Sequence, residues 1–164
     1  MKAPQLPLNS PPVNFLNMET KNNALNFVVI DDDTINNMVC KAAIKSATGG
    51  KTAICFNKPL EGLHYFENLF QLLNSSPRTI LFLDINMPDM NGWEWLEKFS
   101  GFQQEIKDKL SIYILSSSVN PTDIDHAHAN SLVKDYIVKP LTKSKVLDLL
   151  EETNSESIMD LKVV

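Results

Sequence analysis

"FLDINMPDMNGWEWL", Phe82 to Leu96, opens as a strand and breaks at an aspartate. The run "TILFL" (79–83) is almost continuously apolar, the mark of a strand covered on both faces. Asp84 follows it directly. After that comes a loop of Asn, Pro and Gly, then a helical pattern carrying Trp93, Leu96 and Phe99. A bare carboxylate at the end of a buried strand needs a reason, and the rest of the chain supplies one.

Four more short apolar runs read as strands: "FVVI" (27–30), "TAICF" (52–56), "IYIL" (112–115) and "YIV" (136–138). Helical patterns lie between them. Ile35, Met38, Val39 and Ala42 fall at i, i+3, i+4 and i+7, which predicts the buried face of a first helix. Asp33 or Thr34 would cap it and Gly49-Gly50 would stop it. Pro59 opens a second helix with Leu60, Leu63, Phe66, Leu69, Phe70 and Leu73. The third begins near Gly92. A fourth, after Asn120-Pro121, is poor in apolar residues and offers Ile124, Ala127 and Leu132. A fifth runs from Thr142 through Val146, Leu147, Leu149 and Leu150. Strands alternating with helices predict an α/β fold: a doubly wound, open parallel sheet between two layers of helices.

The bulk properties narrow the function. The chain has 164 residues, enough for one domain with a full core. It is 43% hydrophobic and 21% charged, a globular composition. A net charge of −5 argues against nucleic acid as a partner. No apolar stretch approaches a membrane span, and the start has no signal-peptide core. Cys40 and Cys55 lack metal or redox spacing and read as reduced thiols, pointing to the cytoplasm. Residues 1–24 are a polar, Pro- and Asn-rich leader expected to lack fixed structure, within which Met18 is a candidate start. The domain is expected over residues 25–152, with a polar tail at 153–164. Fourteen residues after Leu150 leave no room for an output domain, so a stand-alone domain is expected.

In open parallel sheets, ligands bind beyond the carboxyl ends of the strands. The strand ends here carry Asp31-Asp32-Asp33, Asp84, Ser116-Ser117-Ser118 and Lys139-Pro140. Two carboxylates at 4 Å repel by about 4 kcal/mol at an effective dielectric of 20. A hard divalent cation relieves that repulsion, and Mg²⁺ suits few carboxylates plus a phosphate. Lys139 adds positive charge for phosphate oxygens, and a serine hydroxyl can donate to another. Asp84 then reads as a nucleophile toward phosphorus, forming an acyl phosphate. The following loop can turn the Asn86 carbonyl to the metal, with Pro88 and Gly92 shaping the turn.

The motifs "VVIDDD", "FLDINMPDMNG", "YILSSS" and "DYIVKP", in that order and spacing, resemble a two-component response-regulator receiver domain of the chemotaxis-type, stand-alone kind. The resemblance covers about residues 26–150. It implies a flavodoxin-like (βα)5 three-layer sandwich with sheet order 2-1-3-4-5. It also implies that Asp31 and Asp32 hold Mg²⁺, Asp32 directly and Asp31 through water, while Asp33 caps the first helix. By the same resemblance Asp84 is the phosphoacceptor, Asn86 lends its backbone carbonyl to the metal, and Ser116 moves toward the phosphoryl group. The amide of Ser117 and the ammonium of Lys139 touch phosphate, Lys139-Pro140 is a cis peptide, and Tyr136 swings as a switch aromatic. The implied partners are a sensor histidine kinase or a histidine phosphotransfer protein. A downstream protein would dock on the fourth helix, fifth strand and fifth helix. Ser117 and Ser118 depart from the family pattern by adding hydroxyls near the site.

Two other functions are less well served. A dehalogenase-type phosphatase needs a second aspartate two residues after the nucleophile, where this chain has Asn86. A receiver-like scaffold that never takes phosphate would be expected to lose an acid or the lysine, and both are present. His126 and His128, at i and i+2 on a helix, do not face each other and are expected to be solvated. Trp93 is expected to be partly buried and Trp95 to be an exposed partner contact.

Overall fold

The computed structural model describes residues 25–72 and 78–160. The expected leader, Leu73 and residues 161–164 lie outside them. The elements in order are β1 (Asn26–Ile30), α1 (Thr34–Thr48), β2 (Ile54–Phe56), α2 (Pro59–Leu72), β3 (Thr79–Leu83), α3 (Gly92–Ser100), α4 (Gln104–Lys107), β4 (Leu110–Ser116), α5 (Pro121–Ala129), β5 (Val133–Val138) and α6 (Lys143–Asp160). The single turn of α4 was not foreseen, so the expected fourth and fifth helices are α5 and α6. The sheet is parallel throughout, in the order β2-β1-β3-β4-β5. This is the flavodoxin-like arrangement that the resemblance implied.

Because successive strand residues point to opposite faces, the sheet feeds two cores. Val28, Ile30, Leu81 and Leu83 point to one, which α2, α3 and α5 close with Leu63, Phe66, Leu96, Phe99 and Ala127. Phe27, Val29, Ile80 and Phe82 point to the other, closed by Cys40 and Ile44 of α1 and Val146 and Leu149 of α6. The central strands β1, β3 and β4 are thus buried on both faces, whereas Ile54 of β2 and Val138 of β5 stand exposed at the edges. No described helix is long and apolar enough to cross a membrane.

Three expectations about packing need correction. In α1 the spacing is helical, but the expected face points outward: Ile35 is 73% and Met38 67% exposed, and Val39 and Ala42 are exposed too. The buried positions are Asn36, Asn37, Cys40 and Ile44. The cause is polar. Asn36 donates to the Asp31 carboxylate (2.6 Å) and Asn37 to the Asp31 carbonyl (2.9 Å), which turns both amides inward. Leu60 also faces solvent, while Leu63 and Phe66 are buried as expected. Trp95 is fully buried, not an exposed contact. Its indole N–H donates to the Pro59 carbonyl at 3.0 Å, and its ring stacks on Phe99 with centroids 5.1 Å apart.

Trp95→Ala should therefore cost about 3–5 kcal/mol of unfolding free energy. Ile35→Ser, on the solvent side of α1, should change it by no more than about 0.5 kcal/mol. Urea denaturation followed by circular dichroism checks both.

Candidate functional site

The register of the sheet assembles the site. Ile30 pairs with Leu83, so the next residues, Asp31 and Asp84, emerge side by side at the carboxyl edge. The ladder carries on one step into them: Asp84 N–H donates to the Ile30 carbonyl (2.9 Å), and Asp31 N–H to the Phe56 carbonyl (3.0 Å). On the other side Ser116 pairs with Val138, and Lys139 N–H donates to the Ser116 carbonyl at 2.9 Å. Acids, hydroxyl and ammonium thus converge from four strands.

Lys139 lies between two acids. Its ammonium is 2.6 Å from Oδ2 of Asp31 and 3.2 Å from Oδ2 of Asp84. Burial alone would push this lysine down; the hydrogen bond and charge of Asp31, with those of Asp84, outweigh it and hold it above its ordinary value. Asp31 is engaged through both oxygens: Oδ2 also accepts from the Asn36 amide (2.6 Å), and Oδ1 from the Asp33 N–H (2.8 Å). Asp33 caps α1 through Ile35 N–H at 2.8 Å. Asp32, by contrast, is exposed, and its carboxylate makes no hydrogen bond or ion pair among the described residues. One carboxylate oxygen from each of Asp31, Asp32 and Asp84 lies within 4.8 Å of the others.

This donor set fits a hard divalent cation. It offers oxygen ligands from three acids, one of them with its lone pairs unengaged. Lys139 offsets part of the negative charge, and a cation would offset more. Asp31, with three donors already on it, suits an outer position.

The loop after Asp84 is fixed by backbone crowding. Asp89 takes a positive φ of 67°. A Cβ on Gly92 would lie 2.5 Å from the Asp84 carbonyl oxygen, so only glycine fits there. Ile85 and Met87 turn inward, and Asn91 forms a reciprocal cap with Glu94 at the start of α3. Asn86 is exposed; its N–H donates to Asp84 Oδ1 (3.3 Å) and its side-chain amide to Ser116 Oγ (3.3 Å).

Ser116 is fully buried, and its Oγ also accepts from Ser118 N–H at 3.1 Å. The two added hydroxyls go elsewhere: Ser117 is exposed, and Ser118 Oγ donates to Asp123 of α5 at 2.6 Å. Tyr136 is half-buried, and its hydroxyl donates to the Ser118 carbonyl at 2.8 Å. The Lys139-Pro140 peptide is cis. Sequence reasoning missed Asn36, whose amide holds Asp31 in place. A polar pair inside the first helix, five and six residues after that acid, was the available signal.

The chain belongs to the response regulator receiver domain family, whose model matches residues 27–151. Its fold is similar to a two-component response regulator from Cytophaga hutchinsonii, with a TM-score of 0.73 and 28% identity over 81% of this chain and 98% of that one. It is also similar to a response regulator receiver protein from Dyadobacter fermentans, with a TM-score of 0.69 and 22% identity over 79% and 97%. The sensory/regulatory protein RpfC of Xanthomonas campestris pv. campestris is 24% identical over 138 residues. That match takes in 84% of this chain but spans 18% of the length of RpfC. Family membership gives the site its chemistry, phosphoacceptance on an aspartate.

Removing the ammonium would leave two carboxylates facing each other with little access to water. Lys139→Met should cost about 3 kcal/mol in metal-free buffer, read from urea midpoints with chelator present.

Proposed function

We propose that this receiver takes a phosphoryl group on Asp84 from a sensor histidine kinase or a histidine phosphotransfer protein, with Mg²⁺, in the cytoplasm. It then signals to a partner protein by a change of shape. The observation that carries this reading is the convergence of Asp31, Asp32, Asp84 and Lys139 at one sheet edge. Bound Mg²⁺ supplies charge neutralisation to the acids and the phosphoryl oxygens. An Asp84 oxygen attacks phosphorus, the P–N bond to the donor imidazole breaks, and its electron pair stays on nitrogen. Lys139, already beside Asp84, holds phosphoryl oxygens. The product is an acyl phosphate on the protein itself, a single self-catalysed phosphotransfer rather than turnover of an external substrate.

The response starts at Ser116. Its oxygen accepts two hydrogen bonds in the resting site, so its own hydrogen remains to be donated to a phosphoryl oxygen. Drawing Ser116 toward Asp84 pulls on Ser118, and through it on Tyr136 and α5. Phosphate then biases a population between two shapes of the α5, β5 and α6 face, where the downstream partner docks. Val138 and Leu147 give that face exposed apolar surface.

Donor docking has its own support. Ile35, Met38, Val39 and Ala42 form an exposed apolar stripe on α1, which starts directly after the acidic residues. A stripe of that kind suits the apolar side of a donor helix bearing the phosphohistidine.

Acetyl phosphate with Mg²⁺ should add one phosphoryl mass to the protein. Chelator or Asp84→Asn should abolish the adduct, and an adduct surviving in Asp84→Asn would sink the assignment. Met38→Glu should slow transfer from a protein donor at least tenfold while leaving the acetyl phosphate reaction unchanged.

A further inference from the structure

Helix α5 is poorly anchored. Ala127 is its one buried residue, and Ile124 is half-buried. What holds its outer side is an aromatic contact with α3: the imidazole of His126 stacks on the indole of Trp93, with centroids 4.0 Å apart and planes 24° from parallel. Both residues line a groove of about 560 Å³ between α3, α4 and α5.

One end of this contact is rooted at the Asp84 loop and the other at the Ser116 loop. Trp93 follows Gly92, whose N–H donates to the Ile85 carbonyl at 3.1 Å and whose Cα abuts the Asp84 backbone. His126 lies one turn beyond Asp123, which accepts from Ser118 Oγ; Ser118 in turn donates its N–H to Ser116 Oγ. The stack therefore links the loop that follows Asp84 to the loop that follows Ser116. A shift of the Ser116 loop relative to the Asp84 loop must slide one ring over the other.

We propose that the Trp93–His126 stack is a pH-sensitive latch on α5, tighter when the imidazole is protonated. Imidazolium over an indole face gains a cation–π attraction that the neutral ring lacks. Glu94 and Glu97 of α3 and Lys107 of α4 line the same groove, with the Glu94 carboxylate accepting from the Asn91 N–H at 2.8 Å. On its own helix His126 has Asp123, Asp125 and His128 as charged or titratable neighbours, and His128 is 3.7 Å from Asp135 of β5. Histidine is the side chain that titrates near neutral pH. The coupling of this latch to phosphate rests on the receiver reading above; the latch itself does not.

Tryptophan emission of the intact protein, recorded from pH 5 to pH 8, tests the proposal. The chain has two tryptophans, and Trp95 is sealed in the core, so a pH-dependent signal comes from Trp93. The wild type should change emission with pH. His126→Gln should be flat, and His128→Gln should keep the change. A flat wild type, or a change that survives in His126→Gln, overturns the latch. Amide exchange at pH 6 gives a second readout: His126→Ala should speed exchange in α5 by about fivefold while leaving α1 unchanged. Equal rates in α5 overturn the proposal as well. Acetyl phosphate with Mg²⁺, with the adduct followed by mass, then separates the two readings. An adduct that displaces the emission profile supports coupling, and an adduct that leaves it in place overturns coupling. Absence of an adduct tells against the receiver reading alone, because the pH series has already decided the latch.

Discussion

The ammonium of Lys139, bridging Asp31 and Asp84, is the interaction around which the carboxyl edge of the sheet is arranged. Two carboxylates from neighbouring strands would otherwise repel across a space nearly closed to water. The sheet register forces them together, because Ile30 and Leu83 are paired and the acids follow directly. The cation must arrive from β5, two strands away from β3, and the bond from Lys139 N–H to the Ser116 carbonyl sets the end of that strand. On the proposed function, a transferable phosphoryl group would enter a site whose charges already have a counter-charge, so its binding would rearrange existing contacts instead of creating a buried charge afresh.

The same arrangement explains α1. Asp31 needs donors, and the next helix supplies them as Asn36 and Asn37. These amides occupy the inward face that aliphatic side chains would ordinarily take. The aliphatic ones, Ile35, Met38 and Val39, are displaced to solvent beside the site. The polar demand of one carboxylate thus creates an apolar surface elsewhere, an inversion that composition and periodicity do not reveal.

Much of the architecture was legible because its signals are local. Apolar runs mark the five strands, and Pro59, Gly49 and Gly92 mark helix ends. Asp31, Asp32, Asp84, Ser116 and Lys139 could be brought to one edge by topology alone. What was missed depends on contacts between segments distant in sequence. Helical spacing gave the stripe on α1 but not its direction, since that depends on Asp31. Trp95 could not be told from a surface aromatic until its N–H met Pro59 across α2. His126 and His128 are exposed, as their spacing predicted; what spacing did not give is the partner each has on another element, Trp93 and Asp135.

Cys40, on the inner face of α1, is wholly covered. Burial, with the Asp31 charge adding to it, pushes its thiol up to about 12. Alkylating reagents need thiolate and access, and the folded protein grants Cys40 neither. Cys55, half-covered on the edge strand β2, is nearer the surface although burial raises it too. The two sulfurs thus form a built-in pair of clocks: modification of Cys55 counts excursions of the sheet margin, and modification of Cys40 counts full openings of the molecule.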